Sequence, residues 1–149
     1  MSTPIYPQLV GSVITVTGAN TIATNAYAVA ADKLTIDVAT YAGLCVDFTL
    51  VPTWSTAPVA GSLSLIAVGY SLDASPAAGP APVATLNNDF VANFKPAPYT
   101  SNTATTWTMT LRRVALGIGK TDFYLFNNGT GQTLSASWVL KAQVWTPGT

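Results

Sequence analysis

Apolar and polar residues alternate with a period of two along most of this chain. The alternating runs are rich in Val, Ile, Thr, Tyr, Phe and Trp and are bounded by Gly, Pro and Asn. That is the pattern of short strands with one buried face. Segment 33–40 places Leu34, Ile36 and Val38 on one face and Lys33, Thr35 and Asp37 on the other. Segment 44–51 turns Leu44, Val46, Phe48 and Leu50 inward. Segment 62–72 begins the same way at Leu63 and Leu65, then becomes apolar on both faces through Ile66, Val68 and Tyr70. Segment 105–114 sets Trp107, Met109 and Leu111 against Thr106, Thr108 and Thr110. Segment 122–127 is aromatic on both faces, and 133–145 buries Leu134, Ala136, Trp138, Leu140, Ala142 and Val144. Weaker strands are predicted over 11–17, 20–29 and 89–95. The Ala-rich window 22–31 has helical propensity, but it lacks a capping box and ends at Asp32-Lys33, so it reads as a strand leading into a turn.

About eight or nine short antiparallel strands in one chain leave two layouts, a small closed barrel or a two-sheet sandwich. The mixture of one-sided and two-sided strands favours the second. The expected fold is all-β: a single-domain antiparallel two-sheet sandwich, of the jelly-roll kind. Three stretches stand outside the pattern. Residues 1–10 read as an extended arm, with Pro4 and Pro7 flanking Ile5 and Tyr6, ahead of a domain spanning 11–149. Residues 74–85, with Pro76, Pro80 and Pro82, cannot donate a regular ladder; they form either a projecting loop that docks on a neighbour or a stiff surface connection. Residues 95–106 are similar in kind.

Composition changes the picture most through what is missing. The chain has 149 residues, 6 Lys+Arg, 6 Asp+Glu and no His, for a formal net charge of zero. Charged residues are 8% of the total, against roughly 25% in ordinary soluble proteins. The outward positions of the predicted strands therefore carry Thr, Ser and Ala where an isolated sandwich needs Lys and Glu to block edge-to-edge pairing. Contact with other protein explains such faces. With no basic excess there is no electrostatic drive toward nucleic acid or an anionic membrane, so neither is expected as a partner. The N-terminus lacks a basic start and an apolar core and does not read as a signal peptide. No apolar run is long enough to predict a membrane-spanning helix.

Candidate chemistry is sparse. All six acidic residues are Asp: Asp32, Asp37, Asp47, Asp73, Asp89 and Asp122. Asp37 and Asp47 fall on adjacent predicted strands, as a glycosidase pair requires, yet both take the solvent side. Without His, Ser-His-Asp and Cys-His arrangements are impossible. Asp73 or Asp89 with Asn87 and Asn88 offers oxygens to calcium, but the spacing of a calcium loop is absent. Gly117-Ile118-Gly119-Lys120-Thr121 is not a phosphate loop, since Arg113 stands where its first Gly belongs and a strand follows. Asn128-Gly129-Thr130 reads as a turn, and Cys45 as a small buried hydrophobe. No enzyme activity, metal or cofactor is expected.

Protein contact is a better use for the remaining distinctive residues. Arg112-Arg113 is the sole basic doublet; on a regular strand its two side chains point to opposite faces. Trp107 and Trp138 are phased with core positions. Trp54, in the 52–60 loop, and Trp145, near the C-terminus, are candidates for exposure, suited to a protein interface or to stacking on sugar rings. The candidate interface residues are thus Ile5, Tyr6, Trp54, Pro76, Pro80, Arg112, Arg113 and Trp145.

The run from Asp122 to Ser137, DFYLFNNGTGQTLSAS, followed by Leu140-Lys141-Ala142-Gln143 and Thr146-Pro147, resembles small virion proteins of tailed double-stranded-DNA bacteriophages. Gly69-Tyr70-Ser71-Leu72-Asp73 ahead of a Pro/Gly/Ala loop is similar to them as well. The resemblance covers about half the chain and consists of strand-and-turn patterns. It implies a jelly-roll head cement or decoration protein that binds the outside of the major capsid shell and bridges capsomers. Its partners are then the major capsid protein and further copies of itself, as dimer or trimer. The place implied is the capsid surface of the virion, after synthesis in the host cytoplasm. A tail or fibre component, or a carbohydrate-binding β-sandwich module, is the alternative.

Overall fold

The computed structural model describes residues 8–37, 45–69, 89–94, 108–116 and 119–146. Their strand pairing is nested about the middle of the chain. β5 (Ser62–Gly69) pairs with β6 (Asp89–Asn93), and outside that hairpin β4 (Cys45–Val51) pairs with β7 (Met109–Ala115). Further out, β3 (Leu34–Asp37) and β2 (Ala26–Tyr27) pair with β8 (Lys120–Asn128), and outermost β1 (Gln8–Thr17) pairs with β9 (Val139–Thr146). All these ladders are antiparallel.

The result is a long double-stranded ribbon whose successive sections fall alternately into two sheets. One sheet has the order β1-β9-β4-β7; the other runs β2-β8-β5-β6, with β3 beside β2 on the same edge of β8. Two further pairings, β4 with β9 and β5 with β8, lock the ribbon's turns side by side. This winding is the jelly roll, and the antiparallel two-sheet sandwich expected from the alternation is present.

Period two explains the core. β4 alternates with Val46, Phe48 and Leu50 fully buried, and β9 supplies Leu140, Ala142 and Val144 to the same layer. Leu34, Ile36, Leu63, Leu65, Phe123 and Leu125 face them from the other sheet, and the Phe48 and Phe123 rings meet at 4.8 Å between centroids. Burying side chains of this size contributes about 1.5–3 kcal/mol each, which lets the fold stand without a disulfide; Cys45 is free and half-exposed on the outward side of β4 rather than buried.

The departures from the predicted strands have local causes. Residues 20–29 form a two-residue strand, because Asn25 takes a left-handed φ of 59° and a 3-10 turn follows at Ala30–Asp32. Asp32 is buried and accepts from the amides of Ala19 and Asn20 and from Asn20 Nδ2, tying that turn to the end of β1. The 133–145 strand begins only at Val139: Ser137 has a φ of 70°, and Leu134 instead bridges Ile22 and Trp54. Ala136 is consequently only half-buried. β1 begins at Gln8, so residues 8–10 of the expected arm belong to the sheet; residues 1–7, with Ile5 and Tyr6, lie outside the described residues, as do Pro76, Pro80, Trp107 and the loops 74–85 and 95–106.

The two outer faces differ. On the sheet containing β8, Asp122, Tyr124, Ile66 and Ser64 point away from the core, yet each is at most 5% exposed. Lys33 Nζ pairs with Asp122 Oδ2 at 2.6 Å, Thr35 Oγ1 donates to Asp122 Oδ1, and Tyr27 stacks on Phe126. Burial, with the Asp122 charge adding to it against Lys33, raises the pKa of the Tyr124 phenol above its ordinary value. The outer face of the β1-β9-β4-β7 sheet has no such closure over its described residues.

Candidate functional site

The open face is built in rows across all four strands. One row is Thr15, Lys141, Thr49 and Thr110; another is Leu9, Trp145, Cys45 and Ala115. Between them Gln143 and Asp47 stand opposite each other on the two central strands. At that level both edge strands are bulged. β1 slips between Val10 and Ile14, and Gln143 Nε2 donates to the Val10 carbonyl at 3.4 Å. β7 slips so that Val46 faces Val114 while Phe48 faces Leu111, leaving Asp47 opposite both Arg112 and Arg113. The amide of Arg113 donates to Asp47 Oδ1 at 2.7 Å. Each central side chain thus satisfies a backbone group that the neighbouring bulge has released, and bulged edges resist pairing with another strand.

The second bulge decides the chemistry. Arg113 has a φ of 58°, a conformation ordinarily given to glycine at such bulges and costing other residues roughly 1–2 kcal/mol. The slip brings both guanidinium-bearing chains to the exposed side, where Arg112 and Arg113 line one cleft with Leu9, Asp47 and Trp145. The strict alternation that sends Arg112 and Arg113 to opposite faces is therefore broken by one extra residue. Trp145 is held in place by its indole N–H, which donates to Asp47 Oδ1 at 3.2 Å. The cleft holds about 240 Å³, and at its rim Leu9 is 73% exposed. Neither arginine is ion-paired among the described residues; the ion pairs there are Lys33–Asp122 and Lys120–Asp37.

Of the eight interface candidates, the structure brings Arg112, Arg113 and Trp145 together. Trp54 goes elsewhere: it is 1% exposed and belongs to the core. Its loop folds over the end of the sandwich, where Trp54 bridges Leu134 and Ser135 N–H donates to the Thr53 carbonyl at 2.9 Å. Exposure expected from a loop position is thus replaced by burial. Asp37 and Asp47 sit on different sheets and face outward on opposite sides, so they form no carboxylate pair. Leu9 and Asp47 are the members of the cleft that the sequence reading assigned otherwise, to an arm and to solvent. Among the described residues no group of three or more His, Cys, Asp or Glu side chains is placed to hold a metal, and no helix is long and apolar enough to cross a membrane.

No family model matches this chain, and no curated protein or solved structure is significantly similar to it. What the geometry itself defines is a jelly roll with one closed outer face and one open face carrying a Trp–Arg–Arg cleft.

Proposed function

We propose that this chain is a non-enzymatic structural protein of a phage virion, a capsid cement or decoration protein that lies on the outside of the major capsid shell and bridges capsomers. The observation that carries this reading is the open face of the β1-β9-β4-β7 sheet. Its rows are Thr15, Lys141, Thr49 and Thr110, and Leu9, Trp145, Cys45 and Ala115, with Leu9 73% exposed. Val13, on the same edge strand, is 52% exposed. The apolar and hydroxyl-bearing part of this face, outside Lys141, Asp47, Arg112 and Arg113, gains free energy when a neighbouring protein covers it, about 25 cal/mol for each Å² of apolar area removed from water. In an icosahedral array each copy repeats that gain, and weak single contacts become strong through avidity. The resemblance of 122–137, 140–143 and 146–147 to small phage virion proteins is in keeping with the same setting.

Incubation of the purified protein with capsids purified from the source in which it is encoded tests this. Stoichiometric cosedimentation, and cryo-EM density placing the Trp145 face against protein, is the expected result. Absence from the pelleted particles refutes the reading. The half-buried Trp145 also keeps a sugar-binding reading in view, which requires glycan-array binding that disappears in Trp145→Ala.

A further inference from the structure

The Arg112–Arg113 bulge joins two features that ordinary stability does not require. A non-glycine residue occupies a left-handed position with φ 58°, and two cationic side chains share one cleft without an ion-pair partner among the described residues. Glycine at 113 keeps the bulge at lower backbone cost; what it removes is the second guanidinium. Strained backbone positions cluster at ligand clamps and active sites, and here one lies beside two exposed guanidinium groups.

We propose that this cleft is a docking site for a short acidic–apolar segment of a partner protein, in which a carboxylate is held between the Arg112 and Arg113 guanidinium groups and an adjacent apolar side chain lies against Trp145 and Leu9. This inference rests on the interface reading above and names the chemistry of the partner's contact. Three observations fix the occupant. Guanidinium matches a planar carboxylate through paired N–H donors. The indole of Trp145, pinned through Asp47 Oδ1, presents a rigid apolar wall beside the exposed Leu9. Asp47 lines the same cleft, which suits a singly charged carboxylate and opposes a polyphosphate chain. A second copy of the chain is a poor donor of that carboxylate from its described side chains: Asp32 and Asp122 are buried, Asp37 is paired with Lys120, and Asp47 is already in the cleft.

The full chain, isotopically labelled, is titrated with the N-acetylated, C-terminally amidated peptide Gly-Leu-Glu-Leu-Glu-Gly, with its equally blocked Glu→Gln counterpart, and with a thymidine oligonucleotide. The indole N–H signal of Trp145 is followed by NMR. The expected result is a saturable shift with the Glu peptide, at least tenfold weaker with the Gln peptide, and a further tenfold weakening in Arg112→Gln and in Arg113→Gly, both of which keep native spectra. Equal binding of the Gln peptide, stronger binding of the oligonucleotide, or no shift of Trp145 at millimolar peptide overturns the proposal. Capsid cosedimentation is run on the same variants. Capsid binding that is lost from the wild type while peptide binding persists sinks the cement reading and leaves the cleft. Capsid binding unchanged by both arginine variants sinks the cleft and leaves the cement reading.

Discussion

Gly18 closes the end of β1 against the indole of Trp138, and replacing it with alanine isolates a single packing contact. A Cβ at position 18 falls 2.0 Å from Trp138 Cε2, 2.2 Å from its Nε1 and 2.5 Å from its Cδ2, where ordinary contact begins at 3.4 Å. Relief requires a movement of more than an ångström, and neither partner is free to make it. Gly18 N–H donates to the Trp138 carbonyl at 2.8 Å, and Ser137 N–H donates to the Gly18 carbonyl at 2.7 Å. Trp138 is completely buried, and its own N–H donates to the Asn20 carbonyl at 3.2 Å. Overpacking alone costs about 1–3 kcal/mol, and each hydrogen bond broken in the shift adds about 1 kcal/mol. Gly18→Ala is therefore expected to destabilise by about 3 kcal/mol, a fall in Tm of roughly 6–12 °C for a chain of this size. Urea denaturation and thermal melts followed by near-ultraviolet circular dichroism measure it. The cycle with Trp138→Leu supplies the control: once the indole is gone, the added methyl costs under about 1 kcal/mol, giving a large coupling. A loss below about 1 kcal/mol in the single variant, or additive losses in the double, refutes the contact as described.

The orphaned Trp54 Nε1, buried with no hydrogen-bond partner, makes a second test: its desolvation costs about 1–3 kcal/mol, so Trp54→Phe stays within about 1 kcal/mol of the parent, whereas Trp138→Phe, which also discards a bond to Asn20, loses at least about 2. Equal losses in denaturant melts contradict this. Arg113→Gly relieves the left-handed backbone and is expected to raise stability by about 1 kcal/mol; destabilisation on thermal melting means that the guanidinium is held by the fold. The raised pKa of Tyr124 means that the folded protein keeps its phenol neutral at a pH where the unfolded chain, titrating near 10, has ionised it. That contribution is complete below pH 10 and is lost as pH climbs toward the folded value, so a pH series of unfolding free energies should fall above pH 10 and fall less steeply in Tyr124→Phe.

The alternation along β4, β5, β8 and β9 was enough to assign the fold class, because a strand with one face in a core needs an apolar side chain at every second position, and that requirement is local. The segments apolar on both faces, 62–72 and 122–127, fall on the sheet whose outer side is closed, where Ile66 and Tyr124 are buried. Composition alone removed His-dependent catalysis and left the protein weakly charged. The cleft was only partly legible. Arg112, Arg113 and Trp145 were distinctive as residue types, but reading Arg112 and Arg113 onto opposite faces assumed that every residue advances the ladder by one step. A bulge breaks that assumption, and its position is set by the partner strand, where Asp47 offers a carboxylate to the Arg113 amide. Leu9 joins Trp145 through the outermost pairing of the ribbon, between residues far apart in sequence. Trp54 is buried for the same kind of reason: Ile22, Trp54 and Leu134 converge to seal one end of the sandwich. Periodicity is a property of each strand by itself, while bulges, end-caps and shared clefts belong to pairs of strands that only the folded ribbon brings together.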